Sequence, residues 1–385
     1  MIPYYLHKKF NFNSSIITYK NESNYPYLEK YCKGLNLEFI RRNRTSMHSI
    51  FFSFSIIKYL IKYAKKIDFL STFHLTNGSV LYTIIYKVLN RNGFTYLKTD
   101  ALADIKAHNK IKTNNYVNYE YYKRNNIRSK VKNQIRLKIA KKINKIFLKR
   151  INLLSIESSE IYNEIKNYNK IEGKIVYIPN GFDDNQVKNL NLHKIPFKQK
   201  ENIILTVGRL GTYQKATEIL LEAITKIKEL GNWKIVLIGY VEPKFMKYVA
   251  NFFEHYPHLK NKIVFTGNIS DRRRLFEYYQ KSKIFCLPSR WESFGIVLVE
   301  AGYFGNYIVS TNIPPAREIT LNGEFGSLFK KESVQELTEI LQFLICNEKI
   351  LEESSSKIQK HIEENFLWRN ITINLFKEII KRIRT

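Results

Sequence analysis

The chain has 385 residues, 44% of them hydrophobic, and a formal net charge of +29 at pH 7. That length exceeds one ordinary domain and the apolar content supports sizeable cores, so two folded domains are expected and wholesale disorder is excluded. The cysteines, Cys32, Cys286 and Cys346, are odd in number and far apart; they form neither a disulfide framework nor a metal motif, which favours a reducing, cytosolic setting.

The opening MIPYYLHKKF lacks the long apolar core of a secretory signal, and SIFFSFSIIKYLIKYA is interrupted by Lys58 and Lys62, which disqualifies it as a spanning helix. Further along, SSIITYK, LNLEFI, IDFLSTF, GFTYLKT, NLLSIES and KIVYIP read as strands, with helical patterns between most of them. The second half continues the alternation with NIILTVG, WKIVLIG, KIVFTG, KIFCLPS and NYIVST. Alternation of this kind predicts an α/β chain of two Rossmann-like, doubly wound domains with parallel sheets. Ligands of such folds bind beyond the carboxyl ends of strands and often between domains. IPNG, Ile178–Gly181, supplies a sharp turn after a strand, and the polar segment Phe182–Glu201 reads as a linker, which places a boundary near residue 190.

The charge is uneven. Residues 1–180 hold 33 Lys+Arg against 11 Asp+Glu, and the remainder hold 30 against 23. An AT-rich coding bias, visible in the abundance of Lys, Asn, Ile and Tyr, accounts for part of that excess. Residues 121–154 are less easily dismissed, with twelve Lys/Arg and no acid between Glu120 and Glu157. Ile139, Ile143, Ile146, Phe147 and Leu154 would line an apolar stripe on this basic segment. Such a helix fits an anionic membrane surface, nucleic acid, or a domain surface with a solvated basic back. A nucleic-acid binder rests on charge alone and leaves the acids of the second half unexplained.

Two segments carry chemistry. In VGRLGTYQKATEILLEA a strand ends at Gly208, Arg209 and Lys215 bracket a glycine-containing loop, and Thr217 is placed to cap a helix. Two cations beside a helix N-terminus form an anion site suited to a diphosphate. In SRWESFGIVLVEAG a loop runs from Arg290 to Phe294 and Gly295 starts an apolar helix that carries Glu300. A carboxylate buried there needs a hydrogen-bond partner or a ligand, because burying it alone costs several kcal/mol. Glu300 is placed to accept from a sugar hydroxyl, and Glu292, in the loop, from another.

ESFGIVLVE is similar to the E-x7-E signature of retaining, nucleotide-sugar-dependent glycosyltransferases of family 4, which have the two-Rossmann GT-B fold. GRLGTYQK looks like that family's Arg/Lys loop, IPNG recurs before its interdomain linker, and FLWRNITINLFKEIIKRI resembles its C-terminal helix. The resemblance covers residues 153–385. It implies an acceptor-side domain over 1–190, a donor domain over 191–365, and a final helix, 366–385, returning toward the first domain. It further implies Arg209 and Lys215 on the donor diphosphate, Glu300 on the ribose and Glu292 on the transferred sugar. Gly208 and the backbone at Ser293, Phe294 and Gly295 would line the same pocket. His74, after DFLSTF, and Asp100, which ends YLKTD, are the acceptor-side candidates.

The function this implies is a metal-independent, retaining hexosyltransferase with no cofactor, using a UDP-sugar as donor and a saccharide or lipid-linked saccharide as acceptor. Cell-envelope polysaccharide synthesis is the expected setting, in the cytoplasm and at the inner face of the membrane, with residues 121–154 touching anionic lipid and no nucleic acid bound. The family's opening strand and Gly-rich turn have no counterpart ahead of MIPYYLHKKF. The alternative expectation is therefore a truncated, non-catalytic relic that still binds a nucleotide sugar.

Overall fold

The computed structural model describes residues 1–19, 32–40, 53–99, 142–167 and 172–384. The chain divides into two compact units, Pro3–Pro179 with Asn374–Thr385, and Asn180–Ile373 with Met1–Ile2.

The N-terminal half runs through α1 (Ile2–Phe10), β1 (Ser15–Tyr19), β2 (Asn36–Ile40), α2 (Phe54–Tyr63), β3 (Phe69–Phe73), α3 (Asn77–Leu89), β4 (Phe94–Thr99), α4 (142–150), β5 (Leu153–Ile156), α5 (Ser159–Ile165) and β6 (Ile175–Tyr177). Strands β3 to β6 pair in sequence order as a parallel sheet, and β1 pairs with β2 in a separate parallel pair. Helix α3 begins where Thr76 and Ser79 cap each other, each side-chain oxygen accepting from the other's backbone N–H. Lys98, buried at the end of β4, lies 3.3 Å from Glu157 and donates to the carbonyl of Ile178, tying β4, β5 and the IPNG turn together.

The basic stripe needs correcting in this region. Leu154 lies on β5, not on the basic helix, and with Phe147 and Ile151 it is buried in this unit's core. Ile143 is exposed. The apolar residues of 142–154 are thus largely committed to packing, and residues 121–141 lie outside the described residues.

The second half contains α6 (Asp184–Asn189), β7 (Glu201–Val207), α7 (Thr217–Thr225), β8 (Lys234–Ile238), α8 (Pro243–His255), β9 (Ile263–Gly267), α9 (Arg272–Lys281), β10 (Ser282–Leu287), α10 (Ile296–Tyr303), β11 (Tyr307–Thr311), α11 (Pro314–Ile319), β12 (Gly326–Phe329), α12 (Val334–Cys346) and α13 (Glu348–Asn365). Helix α14 (Trp368–Ile383) follows, and its later part belongs to the first unit, where Phe376 stacks on Phe10 at 3.8 Å. The six strands are parallel in the order β12-β11-β10-β7-β8-β9. Counted from β7, that is the doubly wound order 3-2-1-4-5-6, which reverses between β7 and β10.

The near-continuous apolar strands follow from burial on both faces. Ile204, Ile235, Leu237, Ile284, Cys286 and Val309 fill one core, while Leu205, Val236, Ile238, Phe285, Leu287 and Ile308 fill the other. This is the period-two alternation of a strand read twice. Segment 182–201 is not a bare linker. Asp183 caps α6, Asp184 is buried against Arg369 at 3.0 Å, and Phe182 bridges to Leu367. Its polar residues serve caps and ion pairs. Among the described residues no helix is long and apolar enough to cross a membrane.

Candidate active site

Strands β7 and β10 are neighbours, with Leu205 opposite Phe285, so the loops leaving their carboxyl ends are neighbours too. These are Gly208–Ala216 and Pro288–Gly295, the two segments that carry the chemistry in the sequence. Both sit at the point where the strand order reverses, where α/β sheets bind ligands.

Local backbone demands explain the glycines. A Cβ on Gly208 would stand 3.2 Å from Lys215 Cε, so glycine leaves room for the lysine stem to cross the strand end. Gly295 is the left-handed N-cap of α10 at φ +72, a conformation that costs most other residues about 1–2 kcal/mol. The first loop closes differently from expectation. Ala216, at φ +47, occupies the N-cap position of α7, and Thr217 is the first helical residue, its hydroxyl accepting from the Gly211 N–H at 3.0 Å.

The two loops bring together Arg209, Lys215 and Glu292. Lys215 Nζ lies 2.6 Å from Glu292 Oε1, and both side chains are largely buried. Gln214 bridges the rest: its Oε1 accepts from Arg209 Nη2 at 3.3 Å and its Nε2 donates to the Trp291 carbonyl at 3.0 Å. The Arg290 N–H donates back to the Gln214 carbonyl at 2.8 Å. Arg209 and Ser293 are exposed. Phe294 turns inward, near Phe366, so only its backbone is available to a ligand.

Glu300 is 5% exposed, as its apolar surroundings predict, but it has protein partners. Arg272 Nη2 donates to Oε1 at 2.8 Å and the Tyr279 hydroxyl to Oε2 at 3.0 Å. Burial, reinforced by the Glu300 charge, pushes the Tyr279 pKa well above its ordinary value and keeps the phenol a donor. Its ion pair therefore accounts for the buried carboxylate without a ligand. Each oxygen still has a second lone pair to offer an incoming hydroxyl.

Beneath the loops, the Arg290 guanidinium is 2.5 and 2.9 Å from the Glu332 oxygens and 2.8 Å from Glu218. Burial works against its charge, but Glu332 and Glu218 outweigh that and raise its pKa. His74 lies in the other unit. It is exposed at the end of β3, in a left-handed conformation at φ +57, with its N–H donating to the Lys98 carbonyl at 2.8 Å. Asp100 lies outside the described residues. Among the described residues no three His, Cys, Asp or Glu side chains gather where a metal ion would be held.

Sequence reasoning missed Gln214, Arg272, Tyr279 and Arg290. One signal was available: Arg272 and Tyr279 are seven apart in α9, two helical turns, which puts them on one face. Nothing in the spacing alone showed that this face meets Glu300.

Residues 187–364 match the family model described as glycosyl transferases group 1. The chain is 32% identical over 178 residues to an uncharacterized 41.2 kDa protein in the cps region of Klebsiella pneumoniae, covering 45% of each chain. It is 28% identical over 222 residues to an uncharacterized glycosyltransferase of Methanocaldococcus jannaschii, covering 54% of this chain and 55% of that one. The chain thus spans about half the length of the curated relatives it matches. Its fold is shared with HepE of Anabaena, solved with UDP and glucose, at a TM-score of 0.67 and 16% identity over 99% of this chain and 95% of that one. The whole chain has the GT-B fold, and residues 187–364, within the unit that carries the site, are similar in sequence to group 1 glycosyl transferases.

Proposed function

We propose that the chain is a retaining glycosyltransferase that moves a hexose from a UDP-sugar to a saccharide or lipid-linked saccharide acceptor in cell-envelope polysaccharide synthesis. The observation that carries this reading is the 2.6 Å Lys215–Glu292 pair, flanked by Arg209, on two loops at the reversal point of the sheet. The UDP and glucose held by the HepE structure and the cps-region setting of the Klebsiella relative support the donor and the pathway class.

In this reading Arg209 and Lys215 neutralise the donor diphosphate, Glu300 accepts from the ribose hydroxyls and Glu292 from the transferred sugar. Backbone at Gly208, Ser293, Phe294 and Gly295 lines the pocket. The bond from the anomeric carbon to the β-phosphate oxygen breaks, the acceptor oxygen bonds to that carbon on the same face, and the acceptor proton passes to the departing phosphate. Two cations, Lys215 held by Glu292 and the exposed Arg209 beside it, supply the charge neutralisation that a divalent ion would otherwise provide. Pairing with Glu292 holds Lys215 in place before the donor arrives, which removes part of the ordering cost. His74 and Asp100 serve the acceptor side.

Incubation with a panel of UDP-sugars and envelope lipid extracts tests this. An α-linked product from an α-linked donor, read by proton NMR and undiminished by EDTA, is the expected result. An inverted product contradicts retention, and UDP binding with neither transfer nor hydrolysis favours a chain that binds the nucleotide without catalysis.

A further inference from the structure

Aromatic, open residues stand one and two positions before the charged pair. Tyr213 precedes Gln214 and Lys215 and is 68% exposed; Trp291 precedes Glu292 and is 45% exposed. Their ring centroids are 5.9 Å apart with the planes tilted by 55°. Exposed rings of this size are usually mobile, but here both backbones are pinned. The Arg290 guanidinium lies 4.0 Å from the Tyr213 ring centroid and donates to the Tyr213 carbonyl at 2.6 Å. Arg290 is itself fixed by Glu332 and Glu218. Gln214 Nε2 holds the Trp291 carbonyl and lies 3.5 Å from Glu292 Oε2.

We propose that Tyr213 and Trp291 form a stacking platform for a pyranose ring. The apolar C–H face of such a ring matches an aromatic surface, while its hydroxyls need polar neighbours, which Gln214 and Glu292 supply. An apolar surface with a few convergent polar groups is the general form of a small-ligand site, and holding the Tyr213 ring on Arg290 and the Trp291 backbone on Gln214 lowers the cost of binding. This rests on the glycosyltransferase reading. The ring belongs either to the transferred sugar of the donor or to the acceptor saccharide.

Calorimetry on the full chain separates these. The probes are UDP, then UDP-glucose, UDP-galactose and UDP-N-acetylglucosamine, then maltotriose added to the UDP-saturated protein. Tyr213→Ala and Trp291→Ala are expected to bind UDP as the wild type does while losing about tenfold in affinity for a sugar-bearing probe, and Trp291→Phe to retain most of it. Loss confined to the nucleotide sugars assigns the platform to the donor; loss confined to maltotriose assigns it to the acceptor. Unchanged affinity for every sugar-bearing probe, or a wild type that gains nothing from the sugar, overturns the platform while leaving the donor site intact. A wild type that dimerises through these rings, as sedimentation of the variants would reveal, also overturns it. Absence of UDP binding in the wild type overturns the donor reading and the platform together.

Discussion

Lys215 and Glu292 are 77 residues apart in sequence and 2.6 Å apart in space. Their side chains are 15% and 8% exposed, too buried for the small values typical of surface pairs. Removing one partner strands the other, so Lys215→Met and Glu292→Gln are each expected to destabilise the chain. A double-mutant cycle in urea should return a coupling of about 1–3 kcal/mol, and a coupling near zero would mean the two charges do not interact. The sequence marked both residues as candidates, Lys215 in a glycine-containing loop after an apolar strand and Glu292 by the E-x7-E resemblance, but it did not indicate that they pair. Glu300 was legible as a buried acid, but not its partners. Arg272 and Tyr279 reach it from another helix, and such packing leaves no mark on the spacing of either segment.

At the scale of elements, one buried cation shows how the unit that carries the candidate site is held. Lys200 precedes β7, and its ammonium donates to the carbonyls of Gln280, Ser282 and Phe304 at 2.9, 3.0 and 2.8 Å, joining the ends of α9 and α10 to the start of β10. Lys200→Met would leave three buried acceptors unmet and should cost about 2 kcal/mol of stability in urea unfolding at pH 7. Burial also lowers the Lys200 pKa from 10.5 to about 7. The unfolded chain therefore binds more protons than the folded one above pH 7, so the stability of the wild type relative to Lys200→Met should rise from pH 7 to pH 9. A falling difference would show that the three carbonyls hold the ammonium more strongly than burial discourages it.

The strands β1 to β11 were visible in the sequence because burial on one or both faces writes long apolar runs. Strand β12, GSLF, was not: it is four residues long and sits at the sheet edge. The linker expectation failed for a related reason. Helix α6 is six residues long and mostly polar, and its capping and buried ion pair resemble loop composition.

For the whole molecule, the parallel sheets and the two-unit division follow from the alternation of elements, the strand order itself is seen only in the structure, and the charge asymmetry does not bear on fold at all. The excess of cations in residues 1–180 bears on partners. With Phe147, Ile151 and Leu154 committed to the core, the proposal of contact with an anionic bilayer rests on the cations of 121–154 and not on an apolar stripe. Replacing six of those cations by glutamine should lower co-sedimentation with phosphatidylglycerol vesicles several-fold at low salt, and equal co-sedimentation would remove the membrane from the account.

The central claim is that the loops after β7 and β10 hold a nucleoside diphosphate sugar. Calorimetric titration of UDP into the wild type, Lys215→Ala and Glu300→Ala tests it most directly. The predicted result is saturable binding by the wild type, weakened at least tenfold in each variant while the far-UV spectra stay the same. Equal affinity in all three would contradict the assignment.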